Sequence, residues 1–256
     1  MKEVKFVALG RSERPAGLPS SEKKAAFFDL DSTLYDARQY FCGAYREVAN
    51  FLHTRYVVDE ESAYSQLLST LESRTSMYPK IFDEALANLK INSPDVPSVL
   101  KVYDSYQGKL EPYPDTLPTL SKLKERAWKL GVITDGAPER QERKLTMLGL
   151  ERMFDVVIFA KSIASKPSTA AYSKAVELLD ADPSQSFYVG DNPSLDFRGA
   201  KLAGLLTIRI LKGEFVHMPS NRDIDYEINS LREVLRISET SLVRSRRGKK
   251  DRISEG

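Results

Sequence analysis

The sequence predicts an α/β fold, a parallel sheet flanked by helices and interrupted near its start by an all-helical insert. Three observations predict it. Short apolar runs that end in polar residues recur at 26–28, 131–134 and 187–190, the pattern of strands buried on both faces. From Tyr113-Pro114-Asp115 onward, strand-like runs alternate with helix-periodic ones, as in repeated strand-helix units. Between Asp36 and Leu110 no strand-like alternation occurs, so that stretch reads as helices only.

Taken in order, residues 1–22 hold a short apolar run, Val4 to Leu9, and then Arg, Pro, Gly and Ser residues that read as a flexible extension. The first core strand is Ala26-Phe27-Phe28, leading into Asp29-Leu30-Asp31-Ser32-Thr33. After Asp36 the period becomes helical, with Tyr40, Phe41, Ala44, Tyr45, Val48, Phe51 and Leu52 on one stripe. Helices follow near Glu60 to Leu71, Lys80 to Leu89 and Val96 to Gly108, broken by Pro79, Pro94 and Pro97.

The alternation then runs from an amphipathic stretch, Asp115 to Lys129, to a strand ending at Thr134 and a helix near Pro138 to Leu148. A strand over Val156 to Ala160, a helix near Ser168 to Leu179 and a strand ending before Asp191 come next. A helix near Leu195 to Ala203 and a last strand, Leu205 to Leu211, complete the series. The tail 241–256 is rich in Arg and Lys with few apolar residues and reads as disordered. The implied organisation is an extension over 1–22, a core over 23–36 and 111–240, an insert over 37–110, and the basic tail.

The strand ends carry the chemistry. In an extended strand, residues two apart point the same way, so Asp29 and Asp31 would repel each other unless a cation or a proton lay between them. An Asp-Ser-Thr turn is also ordinary turn chemistry. Thr134-Asp135-Gly136 offers a hydroxyl that can donate to a phosphate oxygen and a glycine that lets backbone N–H groups approach an anion. Gly190-Asp191-Asn192 ends a third strand, with Asp196 five residues beyond Asp191, and Lys166 before Pro167 supplies a positive charge.

The order and placement of these segments resemble the four motifs of the haloacid dehalogenase-like (HAD) hydrolase superfamily, over roughly Lys24 to Leu211. The resemblance implies a Rossmann-like sheet with a helical cap, and a hydrolase of phosphate monoesters. It makes Asp29 the nucleophile and Asp31 the general acid/base, with Thr134, Asp135, Gly136 and Lys166 at the substrate phosphate. It implies a Mg2+ site on Asp29, Asp31 and Asp191, supported by Thr33, Asn192 and Asp196. Asp31 argues against the dehalogenase branch, because a leaving halide needs no proton. Gln141 and Lys144 after the Thr134 motif look like the branch that holds nucleotide and sugar phosphatases, whose small phosphorylated substrate could be a nucleoside monophosphate or a sugar phosphate. A phosphosugar mutase and a non-catalytic binding protein are the alternatives.

Candidate selectors of that substrate are Arg38, Tyr45, Arg46, Arg74, Tyr78 and Lys80 in the insert, with Arg140 on the core. Among 256 residues the formal net charge is only +2, so nothing draws the chain generally to nucleic acid. The one cysteine, Cys42, excludes an internal disulfide and fits a reducing, cytoplasmic setting. His53 and His217, the only histidines, lie far in sequence from the motifs, which speaks against zinc and for a hard ion on oxygen ligands. No apolar run is long enough for a membrane helix.

Overall fold

The computed structural model describes residues 6–8 and 23–239. They divide into two units, one formed by the chain up to Asp36 and from Glu111 onward, the other by Ala37–Leu110. The first is built on a seven-stranded sheet of β1 (Phe6–Ala8), β2 (Ala25–Phe28), β3 (Lys129–Thr134), β4 (Val156–Phe159), β5 (Phe187–Gly190), β6 (Leu206–Ile210) and β7 (Tyr226–Ile228), in the order β1-β4-β3-β2-β5-β6-β7. All neighbours are parallel except β1, which runs antiparallel along β4.

Both faces of the central strands are covered, which is why their apolar runs do not alternate. Phe27 packs with Ile133, Ile158, Tyr172 and Tyr188 in one core. Phe28 meets Phe187 edge to face at 6.1 Å, and Trp128 tilts against the same Phe187 at 5.0 Å. The helices α5 (Thr116–Glu125), α6 (Pro138–Met147), α7 (Ala160–Ile163), α8 (Ala170–Leu178) and α9 (Phe197–Leu202) connect the strands. Because β3 and β5 both pair with β2, the strand order reverses there, and such a switch point is where open α/β sheets bind ligands.

Two strands depart from the sequence reading. Residues 6–8 of the extension expected to be flexible form β1 at the sheet edge, with Phe6 opposite Ile158; residues 1–5, 9–22 and the basic tail lie outside the described residues. Beyond Leu211, Tyr226–Ile228 adds β7 against β6. Only Ile228 of its three residues is buried, so it carries no apolar run, and the Thr207 and Asp225 contacts that hold it are visible only in three dimensions.

The second unit consists of the helices α1 (Arg38–Tyr56), α2 (Glu60–Arg74), α3 (Ile81–Asn88) and α4 (Val96–Ser105). Asp59 and Asp95 cap α2 and α4 by accepting from the N–H groups of Ser62 and Ser98, which satisfies donors left over at a helix start. Its core gathers Tyr45, Phe82 and Tyr103, with Tyr45 at 5.9 Å from Phe82 and 5.7 Å from Tyr103. No helix among the described residues is long and apolar enough to cross a membrane.

Candidate active site

The carboxyl ends of β2, β3 and β5 converge on one cluster. Asp29 follows β2 directly, and its N–H donates to the Val189 carbonyl of β5 at 2.8 Å, so the sheet itself sets its position. Regular extension stops at Phe28: Leu34 N–H reaches back to the Leu30 carbonyl, and Ser32 adopts a left-handed φ of 57°. The alternation that would have put Asp29 and Asp31 side by side therefore ends before either residue.

Each of the two carboxylates has its own lysine. Lys166 Nζ donates to Asp29 Oδ1 in a short contact, whereas Lys144 Nζ donates to both oxygens of Asp31, at 2.7 and 2.9 Å. Gln141 Nε2 adds a bond to Asp31 Oδ2 at 2.8 Å, and the Tyr35 hydroxyl donates to Oδ1. Each carboxylate is thus offset by an ammonium of its own. The side-chain oxygens of Asp31 are taken up by Lys144, Gln141 and Tyr35. No group of three or more His, Cys, Asp or Glu side chains suited to a metal occurs among the described residues.

Electrostatics separate the two groups in the same sense. Burial dominates at Asp29 and lifts its pKa from 3.8 to about 7, with Asp196 and Asp31 also raising it and Lys166 opposing. Burial would raise Asp31 as well, but Lys144 and the Gln141 bond outweigh it and hold that carboxyl below its ordinary value.

Lys166 sits at the centre of the other half. Its ammonium donates to Asp29, to Asp196 Oδ1 at 2.7 Å and to the Tyr188 hydroxyl at 2.7 Å. Three donors thus meet three acceptors, the full capacity of an ammonium. The three N–H groups of Lys166 are engaged within the protein, and its charge is what it adds to the site. Burial would lower the Lys166 pKa, yet Asp196 and Asp29 carry it well above the usual lysine range.

Asp196 in turn accepts from Tyr188 at 2.9 Å and from the Asn192 N–H at 2.9 Å. Asn192 uses its side-chain oxygen to accept from Ser194 N–H at 2.9 Å, which shapes the turn after Asp191. A side chain at Gly190 would place Cβ 2.5 Å from Asp196 Oδ2, so only glycine lets this carboxylate fold in beside the strand.

Thr134 closes β3 with a hydroxyl that accepts from Gln141 Nε2 at 2.6 Å. Gly136 follows at φ 122°. The Asp135 carboxylate accepts from Lys166 N–H at 3.0 Å, Ser165 Oγ at 3.2 Å and Gly136 N–H at 3.0 Å. It thereby ties the Lys166 segment to the end of β3. Thr33 is fully buried, and its hydroxyl has no hydrogen-bond partner.

A divalent cation fits this donor set. Asp29, Asp191 and Asp196 face the single ammonium of Lys166, which leaves two negative charges uncompensated when all three are ionised. Burial, then the charges of Asp196 and Asp29, push the Asp191 pKa well above the ordinary carboxylate value. Asp29 and Asp191, as hard oxygen donors, suit Mg2+. Gly213, at φ 70°, passes against this point: a Cβ there would lie 2.4 Å from Ser32 and 3.4 Å from Asp191 Oδ2.

Of the seven selectors read from sequence, five make contacts within the helical unit. Tyr45 is buried in the helical unit, Arg38 pairs with Glu72 at 3.1 Å, Arg46 pairs with Glu61 at 2.5 Å, and Arg74 pairs with Glu84 at 3.1 Å while its guanidinium faces the Tyr78 ring. The residues not assigned a site role from sequence are Tyr35, Gln141, Lys144 and Tyr188. The spacing of Gln141 and Lys144 on α6 was a signal, since residues three apart share a helix face; nothing in the sequence marked the two tyrosines.

The chain is similar to known proteins in sequence and fold. A family model described as haloacid dehalogenase-like hydrolase matches residues 26–210. The glyceraldehyde 3-phosphate phosphatase of Methanocaldococcus jannaschii is 34% identical over 219 residues, covering 84% of this chain and 96% of that protein. The crystal structure of a HAD phosphatase from Thermococcus onnurineus matches with TM-score 0.61 at 28% identity, over 84% of this chain and 97% of the other. YfnB from Bacillus subtilis, a HAD-hydrolase solved bound to magnesium, shares the fold with TM-score 0.64 at 17% identity, over 85% of this chain and 99% of its own.

Proposed function

The chain belongs to the haloacid dehalogenase-like hydrolases, and from that premise we propose that it is a phosphatase of small phosphorylated metabolites whose nucleophile is Asp29. The observation that carries the reading is the division of the two carboxylates. Asp29 is set on Lys166 among excess negative charge, and Asp31 is held apart on Lys144.

A phosphate monoester carries up to two negative charges, so its hydrolysis needs charge compensation and an in-line nucleophile. Asp31, held ionised by Lys144 and Gln141, takes the proton of a monoanionic ester as it binds; an Asp29 oxygen then attacks phosphorus, the bond from phosphorus to the leaving alcohol breaks, and Asp31 passes that proton to the departing oxygen. Water then attacks the aspartyl-phosphate, Asp31 takes its proton, and inorganic phosphate leaves with Asp29 restored. Thr134 donates its hydroxyl to a non-reacting oxygen while the Lys166 charge offsets that oxygen's own. Asp29 and Asp191 would hold Mg2+, whose positive charge would let a carboxylate approach the phosphate.

For the substrate we place a short sugar phosphate first, because the Methanocaldococcus relative is named for glyceraldehyde 3-phosphate, and a nucleoside monophosphate second. The helical unit, 37–110, is in this reading the cap that selects among them. A cytoplasmic setting fits such a metabolite and the single cysteine, Cys42.

Phosphate release from glyceraldehyde 3-phosphate, hexose phosphates and nucleoside monophosphates, with Mg2+ and with EDTA, tests the proposal. Turnover is expected on one class, dependent on Mg2+ and lost in Asp29→Asn. Isomerisation of a sugar phosphate without release would replace the hydrolase by a mutase, and undiminished turnover in Asp29→Asn would remove the nucleophile.

A further inference from the structure

We propose that Gln141 and Lys144 are positioning residues of the reaction, which fix the acid/base carboxylate of Asp31 and the phosphate-binding hydroxyl of Thr134 relative to each other. The inference rests on the phosphatase reading above and adds two residues to it. Both lie on one face of α6, three apart, and both are buried, at 1% and 3% exposure.

The geometry is specific. Lys144 Nζ spans both oxygens of Asp31, at 2.7 and 2.9 Å, which restrains the plane of the carboxylate. Gln141 has a single amide nitrogen with two hydrogens, and it lies within bonding distance of Asp31 Oδ2, at 2.8 Å, and of Thr134 Oγ1, at 2.6 Å. Turning this amide over would set its oxygen against a carboxylate, so the donor assignment is forced by charge.

A consequence follows for Thr134. A hydroxyl has one hydrogen and two lone pairs; once one lone pair accepts from Gln141, the hydrogen is directed away from it and stays available to a phosphate oxygen. The arrangement leaves Gln141 Oε1 buried without a partner, a cost that a residue selected for stability alone would avoid. Leaving groups of differing basicity expose the role, because a phenolate of high pKa needs the proton of Asp31 and 4-nitrophenolate does not.

The test compares kcat and KM on phenyl phosphate and 4-nitrophenyl phosphate, at saturating Mg2+, for Lys144→Met, Lys144→Arg, Gln141→Leu and Asp31→Asn. Lys144→Met is expected to lower kcat on phenyl phosphate at least about tenfold more than on 4-nitrophenyl phosphate, as Asp31→Asn does, with Lys144→Arg recovering part of the difference. Combining Lys144→Met with Asp31→Asn should then add nothing to Asp31→Asn. Gln141→Leu should raise KM on both esters as well as widen the ratio, and it serves alone if Lys144→Met fails to fold. A folded variant that loses both substrates equally, or a double variant whose losses multiply, overturns the inference. Wild-type inactivity on both esters, or full activity of Asp29→Asn, overturns the phosphatase reading and the inference with it; a normal wild type, a dead Asp29→Asn and an unchanged ratio in Lys144→Met sink the inference alone.

Discussion

Lys166 and Asp196 meet at 2.7 Å with both side chains only 3% exposed. The same ammonium also binds Asp29 and the Tyr188 hydroxyl, so one buried lysine joins the ends of β2 and β5 to the turn that follows Asp191.

Removing that charge should therefore damage fold and function together. Lys166→Met leaves Asp29 and Asp196 buried without their cation, a change expected to cost about 3–5 kcal/mol. Urea denaturation reads the loss, and phosphate release should fall to background. A variant within about 1 kcal/mol of wild type would mean that the carboxylates find other compensation.

Metal binding should register without any substrate. Since a ligand that binds only the folded state stabilises it by about 2.7 kcal/mol at a hundredfold excess over Kd, Mg2+ is expected to raise the melting temperature by several degrees over EDTA. Asp191→Asn should remove this shift and yet not lower melting in EDTA, because it relieves the crowding of Asp191 with Asp29 and Asp196. A Mg2+ shift that survives in Asp191→Asn would place the ion elsewhere.

Asp115 carries a pH dependence away from the catalytic cluster. Its Oδ2 accepts from Ser230 Oγ and Leu231 N–H, both at 2.7 Å. Burial would raise its pKa, but the Ser230 bond and the charge of Lys212 outweigh that and hold it below the ordinary 3.8. The stabilisation is present above 3.8 and is lost as pH falls through the depressed folded value. Urea midpoints between about pH 6 and 2.5 should fall more steeply for wild type than for Asp115→Asn, which starts about 1–3 kcal/mol less stable. Parallel curves would show that Asp115 contributes no linkage.

Val57 ends α1 in the left-handed region at φ 57°, with its N–H bonded to the His53 carbonyl at 3.1 Å and its side chain 91% exposed. A β-branched residue in that conformation is strained and here gains nothing from burial. Val57→Gly is expected to stabilise the protein by about 1 kcal/mol in thermal or urea unfolding. Destabilisation would mean that the lost rigidity of the unfolded chain outweighs the relieved strain.

Much of the fold was legible before any coordinates. The runs at 26–28, 131–134 and 187–190 became β2, β3 and β5 because parallel strands buried on both faces must be apolar throughout. The helices of the insert followed their apolar stripe, since Tyr40, Ala44, Tyr45, Val48 and Leu52 all reach the interior. The strands β1 and β7 were not legible: three residues along a sheet edge draw their definition from the neighbour they bond.

The sequence by itself determined which groups stand at the strand ends: an acid after β2, a hydroxyl closing β3, an acid after β5. It did so because a strand's apolar run stops where its backbone leaves the sheet, and the next residues necessarily meet solvent or ligand. Only the tertiary structure decided how those groups are shared out. Asp29 took Lys166, 137 residues away, and Asp31 took Lys144, 113 residues away. Asp135 turned its carboxylate to the Lys166 backbone. The left-handed turn at Ser32 ended the alternation that local spacing assumes, and in a buried cluster each charge pairs with whichever opposite charge the converging strands bring within reach.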